Sequence, residues 1–329
     1  PNWWGLKDQK NKIKHNFSKI MIKFVKDETV SMQMLEKKDL DFMGLTTEQY
    51  VKKAKGKHWG KDVYKFQVSN KAPKGYSFIG WNLRNVLFKN KNVRKALYHL
   101  VNRDFMIKKF EYGLSVPATG PQDLSSIYAN PDIRPVEFNP KKALSILRKE
   151  GWRDSNKDRI LDKIIDGKRV DFRFTILEPR KEFEKFLTIF KEDASKVGVD
   201  IKIKTVEWSS FLKLLNERKF EAVRLAWGGG GIDWDPKQIW HSSYAKSGSN
   251  FIGYKNSSVD KLIDKARITM DRKKRVKILH KVYKEIAEDY PYVFFFNKKY
   301  SFYGHTDRIR KKKDTYVYSL GMYYWWLQK

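Results

Sequence analysis

LAWGGGGIDWDPKQIWHSS, residues 225–243, is the stretch on which the reading of the chain turns. It continues FEAVRLAW (220–227), a run rich in strand formers, so a β-strand delivers the backbone directly into four glycines. Four chemistries compete for such a corner. A phosphate loop needs glycine amides facing the anion, a helix opening directly behind them and a Lys-Ser/Thr pair. Here Ile232-Asp233-Trp234-Asp235 follows instead, and two carboxylates repel a phosphate. A metal site built from Asp233, Asp235 and His241 has competent donors. The chain has only six histidines, however, with no HxH or HxxxH pair, and Asp235-Pro236 reads as a turn opener. Nucleophilic catalysis needs a Ser or Cys beside a base with an orienting acid; no GxSxG or SxxK occurs in an elbow context, and His241-Ser242-Ser243 reads as a local dipeptide repeat, not a triad. A pocket wall remains. Glycines let another group approach the backbone closely, Trp227, Trp234 and Trp240 offer flat apolar faces, and Asp233 or Asp235 offers a charge.

Composition narrows the class. At 329 residues the chain exceeds the size at which one core usually stops growing, so two lobes are expected. Aromatics at 15% can build a substantial core, which argues against disorder. No apolar run approaches the length of a membrane span; Tyr292 to Phe296, for example, has the length of a strand. No cysteine is present, which removes disulfides, thiolate catalysis and cysteine-based metal sites. PNWWGLKDQK lacks the pattern of a signal peptide, and the chain does not begin with Met, so its start reads as a processed or chosen boundary. The net charge of +31 brings nucleic acid or an anionic surface into consideration. The cations are spread along the chain, apart from the tract at 308–313, and this is the pattern of solvated helix faces.

Periodicity orders the elements. SKIMIKFV (18–25) alternates like a strand, Glu28 to Lys37 reads as a helix, LDFMGL (40–45) as a strand, and Thr46 or Thr47 as the cap of the next helix. KAPKGYSFIGWNL (71–83) turns into an aromatic strand. Asn92 is expected to cap the helix that carries Val93, Ala96 and Leu97. Asn139-Pro140 opens a helix with Ala143, Leu144 and Leu147 inward, closed by Gly151. Asp154, Asn156 and Asp158 are spaced like the start of a calcium loop, but Arg159 stands where Gly is needed and Ile165 where Glu is needed, so a polar turn before a hairpin is the better account. The strand 170–179, a helix 182–196, the strand 199–206, a helix capped by Ser209 and the strand 220–227 form a β-α-β-α-β series, which implies crossover helices on a sheet. Two helices (257–270 and 272–288) precede a long aromatic strand at 291–304.

Four segments together resemble family 5 extracellular solute-binding proteins, the oligopeptide, dipeptide and nickel receptors of ABC importers. PNWWG resembles the family's "NPxYWG". FIGWNLRNVLFKNKNVRKALYHLVNRDFMIKKFEYGLSVPATG resembles its signature region with "PLF-D-VR-A". FNPKKALSILRKEGWRDSNKDRILDKIIDGK resembles "DP-KA--LL-EAGW-D--GDGI-DK-GK". WHSSYAKSGSNFIGYKNSSVDKLIDKA resembles "W-S--A--GS-N--GY-NPEVD-LID-A", in a form most similar to the YejA-like peptide-binding branch.

The resemblance implies an α/β fold: a periplasmic-binding-protein-like lobe with a mixed sheet and flanking helices, plus an incomplete second lobe. Residues 1–75 would be a remnant of the N-terminal lobe, 76–82 a first crossover strand and 83–290 the C-terminal α/β lobe. Residues 291–300 would be a second crossover strand, and 301–329 a segment returning to the N-terminal lobe. Relatives carry a long portion before the PNWWG position, so a C-terminal fragment is expected, with that missing N-terminal portion as a partner. The implied function is recognition of a peptide, without catalysis or a cofactor, by a monomer that serves a membrane permease in the periplasm or another extracytoplasmic space. Many relatives carry "GW-ADYPDP" at the opening stretch, and its first Asp can pair with a peptide's amino group. Asp233 is the nearest match and Asp235 its competitor. Trp81, Asn82, Trp227 and Trp240 complete the expected ligand contacts. The alternative reading is a nucleic-acid-binding or protein-interaction module that uses the basic surface.

Overall fold

A computed structural model describes residues 15–328. PNWWG, residues 1–5, lies outside the described residues. The chain divides into two compact units. Unit 1 comprises 1–72, 108–115 and 298–329, and unit 2 comprises 73–107 and 116–297.

In unit 1, α1 (Glu28–Glu36) starts at Asp27, whose carboxylate accepts from the amides of Thr29 and Val30. The strands β1 (Phe42–Leu45) and β2 (Val63–Val68) follow. Between them Thr46 and Gln49 cap each other: the Gln49 amide donates to Thr46 Oγ1 at 3.2 Å and the Thr46 amide donates to Gln49 Oε1 at 2.8 Å. The continuation Gln49–Lys53 is a π-helical turn, where an α-helix was expected.

In unit 2, β3 (Tyr76–Trp81) leads to α2 (Lys91–His99), and α3 (Arg103–Phe110) leads out of unit 2 into the 108–115 segment of unit 1. Next come β4 (Ser115–Pro117), α4 (Pro140–Lys149), the hairpin β5 (Asp162–Ile165) and β6 (Lys168–Asp171), and then β7 (Arg173–Glu178). The series α5 (Glu184–Ser195), β8 (Asp200–Thr205), α6 (Trp208–Asn216) and β9 (Ala222–Trp227) completes the expected crossover pattern. The short α7 (Lys237–Trp240) precedes α8 (Ser257–Ile268), α9 (Arg272–Asp289), β10 (Tyr292–Phe294) and β11 (Phe296–Lys298). Back in unit 1 the chain forms β12 (Ser301–Thr306), β13 (Ile309–Arg310) and β14 (Trp326–Leu327).

The sheet of unit 2 is mixed, in the order β10-β3-β9-β7-β8. β7 runs parallel to both β8 and β9, as crossover connections demand. β3 and β10, each from a distant part of the sequence, are antiparallel additions. β3 and β10 are thus members of the unit 2 sheet, and the unit boundaries fall at 72/73, 107/108, 115/116 and 297/298. The sheet of unit 1 is β1-β12-β2, antiparallel throughout.

Several local expectations give way to better-placed groups. Asn90, not Asn92, caps α2, accepting from the Asn92 amide at 2.7 Å. Glu207, not Ser209, caps α6 and takes both the amide and the hydroxyl of Ser209. The aromatic run 291–304 breaks into three strands. Residues 18–25 form no strand. No main-chain hydrogen bond joins them to another described residue, and Phe24 is 97% exposed. Alternation alone does not make a strand when no neighbouring edge supplies its hydrogen bonds.

Trp81 anchors one face of the unit 2 sheet. It is wholly buried, with its ring 5.1 Å from Phe88 and edge-on to Phe174 at 5.9 Å. Trp81→Ala leaves a cavity that this close-packed layer cannot fill. It should cost about 3–5 kcal/mol, read as a lower midpoint in chemical denaturation. A change below about 1 kcal/mol would refute the anchoring role.

Candidate functional site

The glycine corner owes its composition to a close backbone approach. β9 pairs with β3 in the register Tyr76↔Trp227, so the segment entering β3 lies against the exit of β9. A Cβ on Gly75 would sit 2.1 Å from the Trp227 carbonyl oxygen, and a Cβ on Gly229 would sit 2.1 Å from that of Pro73. No side chain fits between the two backbones at either place. Gly230 takes φ +65°, and a Cβ on Gly228 would meet nothing within 4 Å. The corner is therefore a main-chain seat, located just past the point where the chain enters unit 2.

Beyond the glycines the acids are tied down by cations from the helices that follow. Asp233 Oδ1 accepts from the Tyr128 hydroxyl at 2.5 Å and faces Arg275 at 3.5 Å and Arg272 at 3.8 Å. The Tyr128 hydrogen bond, aided by the two guanidinium groups, holds its carboxyl below the ordinary carboxylate range. Its side chain stays 61% exposed, so it remains an ionised and accessible acceptor. Asp235 pairs with Arg267 at 3.1 Å and accepts from the Lys237 amide at 3.1 Å, just before α7. His241 lies between Asp264 (3.3 Å) and Asp260 (3.9 Å). Asp233, Asp235 and His241 thus turn to three different sets of partners. Among the described residues no group of three His, Cys, Asp or Glu side chains is arranged to hold a metal.

Trp227 is half-buried, stacked on Phe251 at 5.8 Å and Phe78 at 6.2 Å, and its indole N–H faces the Tyr292 hydroxyl at 3.4 Å. Three of the expected contacts require correction. Trp81 and Trp240 are both 0% exposed; Trp240 packs on Tyr254 and Tyr292 in the core and offers a ligand no face. Asn82 is also buried. Its Nδ2 donates to the carbonyls of Phe220 (2.8 Å) and Arg218 (3.2 Å), and its Oδ1 accepts from Arg84. Its amide ties the end of β3 to the approach of β9 and is fully spent on that.

The sequence offered no signal for Tyr128, Arg272 and Arg275, because they reach Asp233 from other elements. It also gave none for Glu178 and Arg224. These adjacent residues of β7 and β9 form a buried ion pair at 3.0 Å, with the guanidinium 3.4 Å from the centre of the Phe183 ring. Burial pushes Glu178 up to about 7, against the attraction of Arg224. Among the described residues, Arg224 Nη2 has no hydrogen-bond partner.

Comparison with known proteins decides what this architecture is. Residues 1–251 match the model of the bacterial extracellular solute-binding proteins, family 5 Middle. The chain belongs to this family. Among its relatives, the oligopeptide-binding protein AppA of Bacillus subtilis is 31% identical over 321 residues, covering 94% of this chain and 56% of the relative. The dipeptide-binding protein of Escherichia coli is 26% identical over 205 residues, covering 61% of this chain and 36% of the relative. This family 5 chain therefore spans about half the length, or less, of the curated relatives it matches. Among solved structures, that of Bacillus subtilis AppA in complex with a nonapeptide has a TM-score of 0.80 at 30% identity, covering 93% of this chain and 59% of that one. NikZ from Campylobacter jejuni in complex with Ni(L-His) has a TM-score of 0.78 at 22% identity, covering 92% and 61%, and shows the shared fold.

Two measurements check the site. Gly229→Ala should destabilise by about 1–3 kcal/mol through the forced contact with Pro73, whereas Gly228→Ala should stay within about 0.5 kcal/mol. Equal thermal shifts would show that the close approach is unimportant. Separately, Glu178 is an acid whose folded pKa lies above its unfolded value. Its contribution to stability is present below 4.5 and is lost as pH rises to about 7. Denaturant unfolding across that window should show a decline that Glu178→Gln flattens.

Proposed function

We propose that this chain forms part of a peptide receptor of an ABC importer, working outside the cytoplasm by recognition without bond making. The observation that carries the reading is the likeness, along nearly the whole chain, to an oligopeptide-binding protein solved with a nonapeptide. Its partners on this reading are a membrane permease and the portion of the receptor that the relatives possess beyond this chain. An extended peptide satisfies its main-chain groups on the protein's own, and roomy side-chain positions tolerate varied sequences.

Within unit 2 the corner after β9 supplies the wall. Asp233 accepts the peptide's terminal ammonium. Its exposure and its low pKa support this, because the carboxylate is charged at neutral pH and still open to solvent. The two guanidinium groups stand at 3.5 and 3.8 Å, longer than a tight pair, and leave an oxygen for the incoming cation. Trp227 lends a flat apolar face. Asp235, paired at 3.1 Å with Arg267, is the weaker candidate.

Calorimetric titration of the chain, alone and joined to the remainder of its receptor, with a nonapeptide tests this. Asp233→Asn should weaken binding of a free-amine peptide about tenfold and leave its acetylated form unchanged. Equal losses would remove Asp233 from the contact. Uptake of a nickel–histidine complex with no peptide binding would overturn the peptide reading itself.

A further inference from the structure

A second surface of unit 2 has a chemistry that peptide recognition does not use. A groove of about 480 Å³ lies along α4, lined by Lys141, Leu144, Ser145, Arg148, Lys149 and Arg153. The spacing explains its charge. From Lys141, the positions three, four, seven and eight residues on share one helix face, while Ala143 and Leu147 point the other way and are buried. The cations therefore converge because the core claims the opposite side.

Four positive side chains line this groove and no carboxylate does. Lys141, Arg148 and Lys149 have no ion-pair partner among the described residues. By contrast, the neighbouring Lys142 is paired with Glu137 at 3.4 Å, and Glu150 is engaged by Asn90 and Asn92. Arg153 is fixed in place: its guanidinium donates to the carbonyl of Arg148, in the last turn of α4, and to that of Trp152 at 2.8 Å. A guanidinium held this way loses little further freedom when an anion arrives.

We propose that this groove docks the chain on an anionic lipid surface through phosphate-bearing headgroups. A shallow, open groove lined by long cationic side chains suits the charge of a headgroup and leaves it accessible from the lipid surface. The lining carries no aromatic ring, so bases have nothing to stack on, and this argues against single-stranded nucleic acid. It also carries no large exposed apolar side chain that would insert. Attachment is therefore electrostatic, reversible and weakened by salt. The proposal is independent of which solute the receptor carries.

Vesicle sedimentation tests it. The wild-type chain should bind vesicles containing phosphatidylglycerol, not pure phosphatidylcholine vesicles, and should release as salt rises. The triple variant Lys141→Gln, Arg148→Gln, Lys149→Gln should lose binding on the order of 100-fold, at roughly fivefold per cation. A control with the same charge loss, Lys202→Gln, Lys204→Gln, Lys213→Gln, should lose far less. Unchanged thermal unfolding confirms that both variants fold. Equal loss in the two variants would mean that diffuse charge and not the groove does the binding, which overturns the proposal. So would absence of wild-type binding. A groove variant that keeps its hold on vesicles but releases a single-stranded oligonucleotide would overturn it in favour of nucleic acid.

Discussion

The architecture of unit 2 depends on β3 being hydrogen-bonded on both edges. β7, β8 and β9 arise from a local crossover series and pair in parallel. β3, placed antiparallel against β9, and β10, placed antiparallel against β3, extend that sheet with strands from far away in sequence. Aromatic contacts stabilise the addition: Phe78 and Tyr292 stack at 3.8 Å, almost parallel. Because β3 begins directly after the chain enters unit 2, its register with β9 also places the entering backbone on the glycines. The conformation of the candidate site is thus a consequence of strand pairing, and a slip of one residue would turn every β3 side chain to the other face.

Electrostatics around the corner follow a second constraint. The chain has a large excess of cations, so Asp233 and Asp235 at the corner are each met by basic side chains of α8 or α9. Asp235 is matched by Arg267, and Asp233 by Arg272 and Arg275. Exposed pairs of this kind add little stability. Their effect is to fix direction and protonation, leaving Asp233 ionised at the rim. The buried pair Glu178–Arg224 behaves differently. Its desolvation is expensive, which raises Glu178 to about 7 despite Arg224, while the Arg224 cation lies against the Phe183 ring. The same excess of cations leaves the α4 face without acids to neutralise it.

Much of the local structure was legible in the residues. Asn139-Pro140 started α4 and Gly151 followed its end, the β-α-β-α-β series was read in order, and the turn at 154–158 preceded a hairpin as expected. These are short-range effects: caps, proline at the first helical turn and hydrophobic period act over a few residues. The family was legible too, because four motifs occur in order along the chain.

What the residues alone could not reveal was where each side chain ends up in three dimensions. A tryptophan beside a glycine run reads equally well as pocket or core; Trp227 became partly exposed and Trp240 wholly buried, because α7 turns Trp240 inward onto Tyr254 and Tyr292. Asn82 looked free to meet a ligand, yet carbonyls more than 130 residues away consume its amide. Residues 18–25 have a strand's pattern, but no described neighbour supplies an edge. Caps and periodicity determined most of the elements, and the four motifs in order carried the resemblance to the family. Burial, strand pairing and the partners of Asp233 were decided only in the tertiary structure, because each depends on groups brought together from distant positions, and a linear pattern carries no record of such distances.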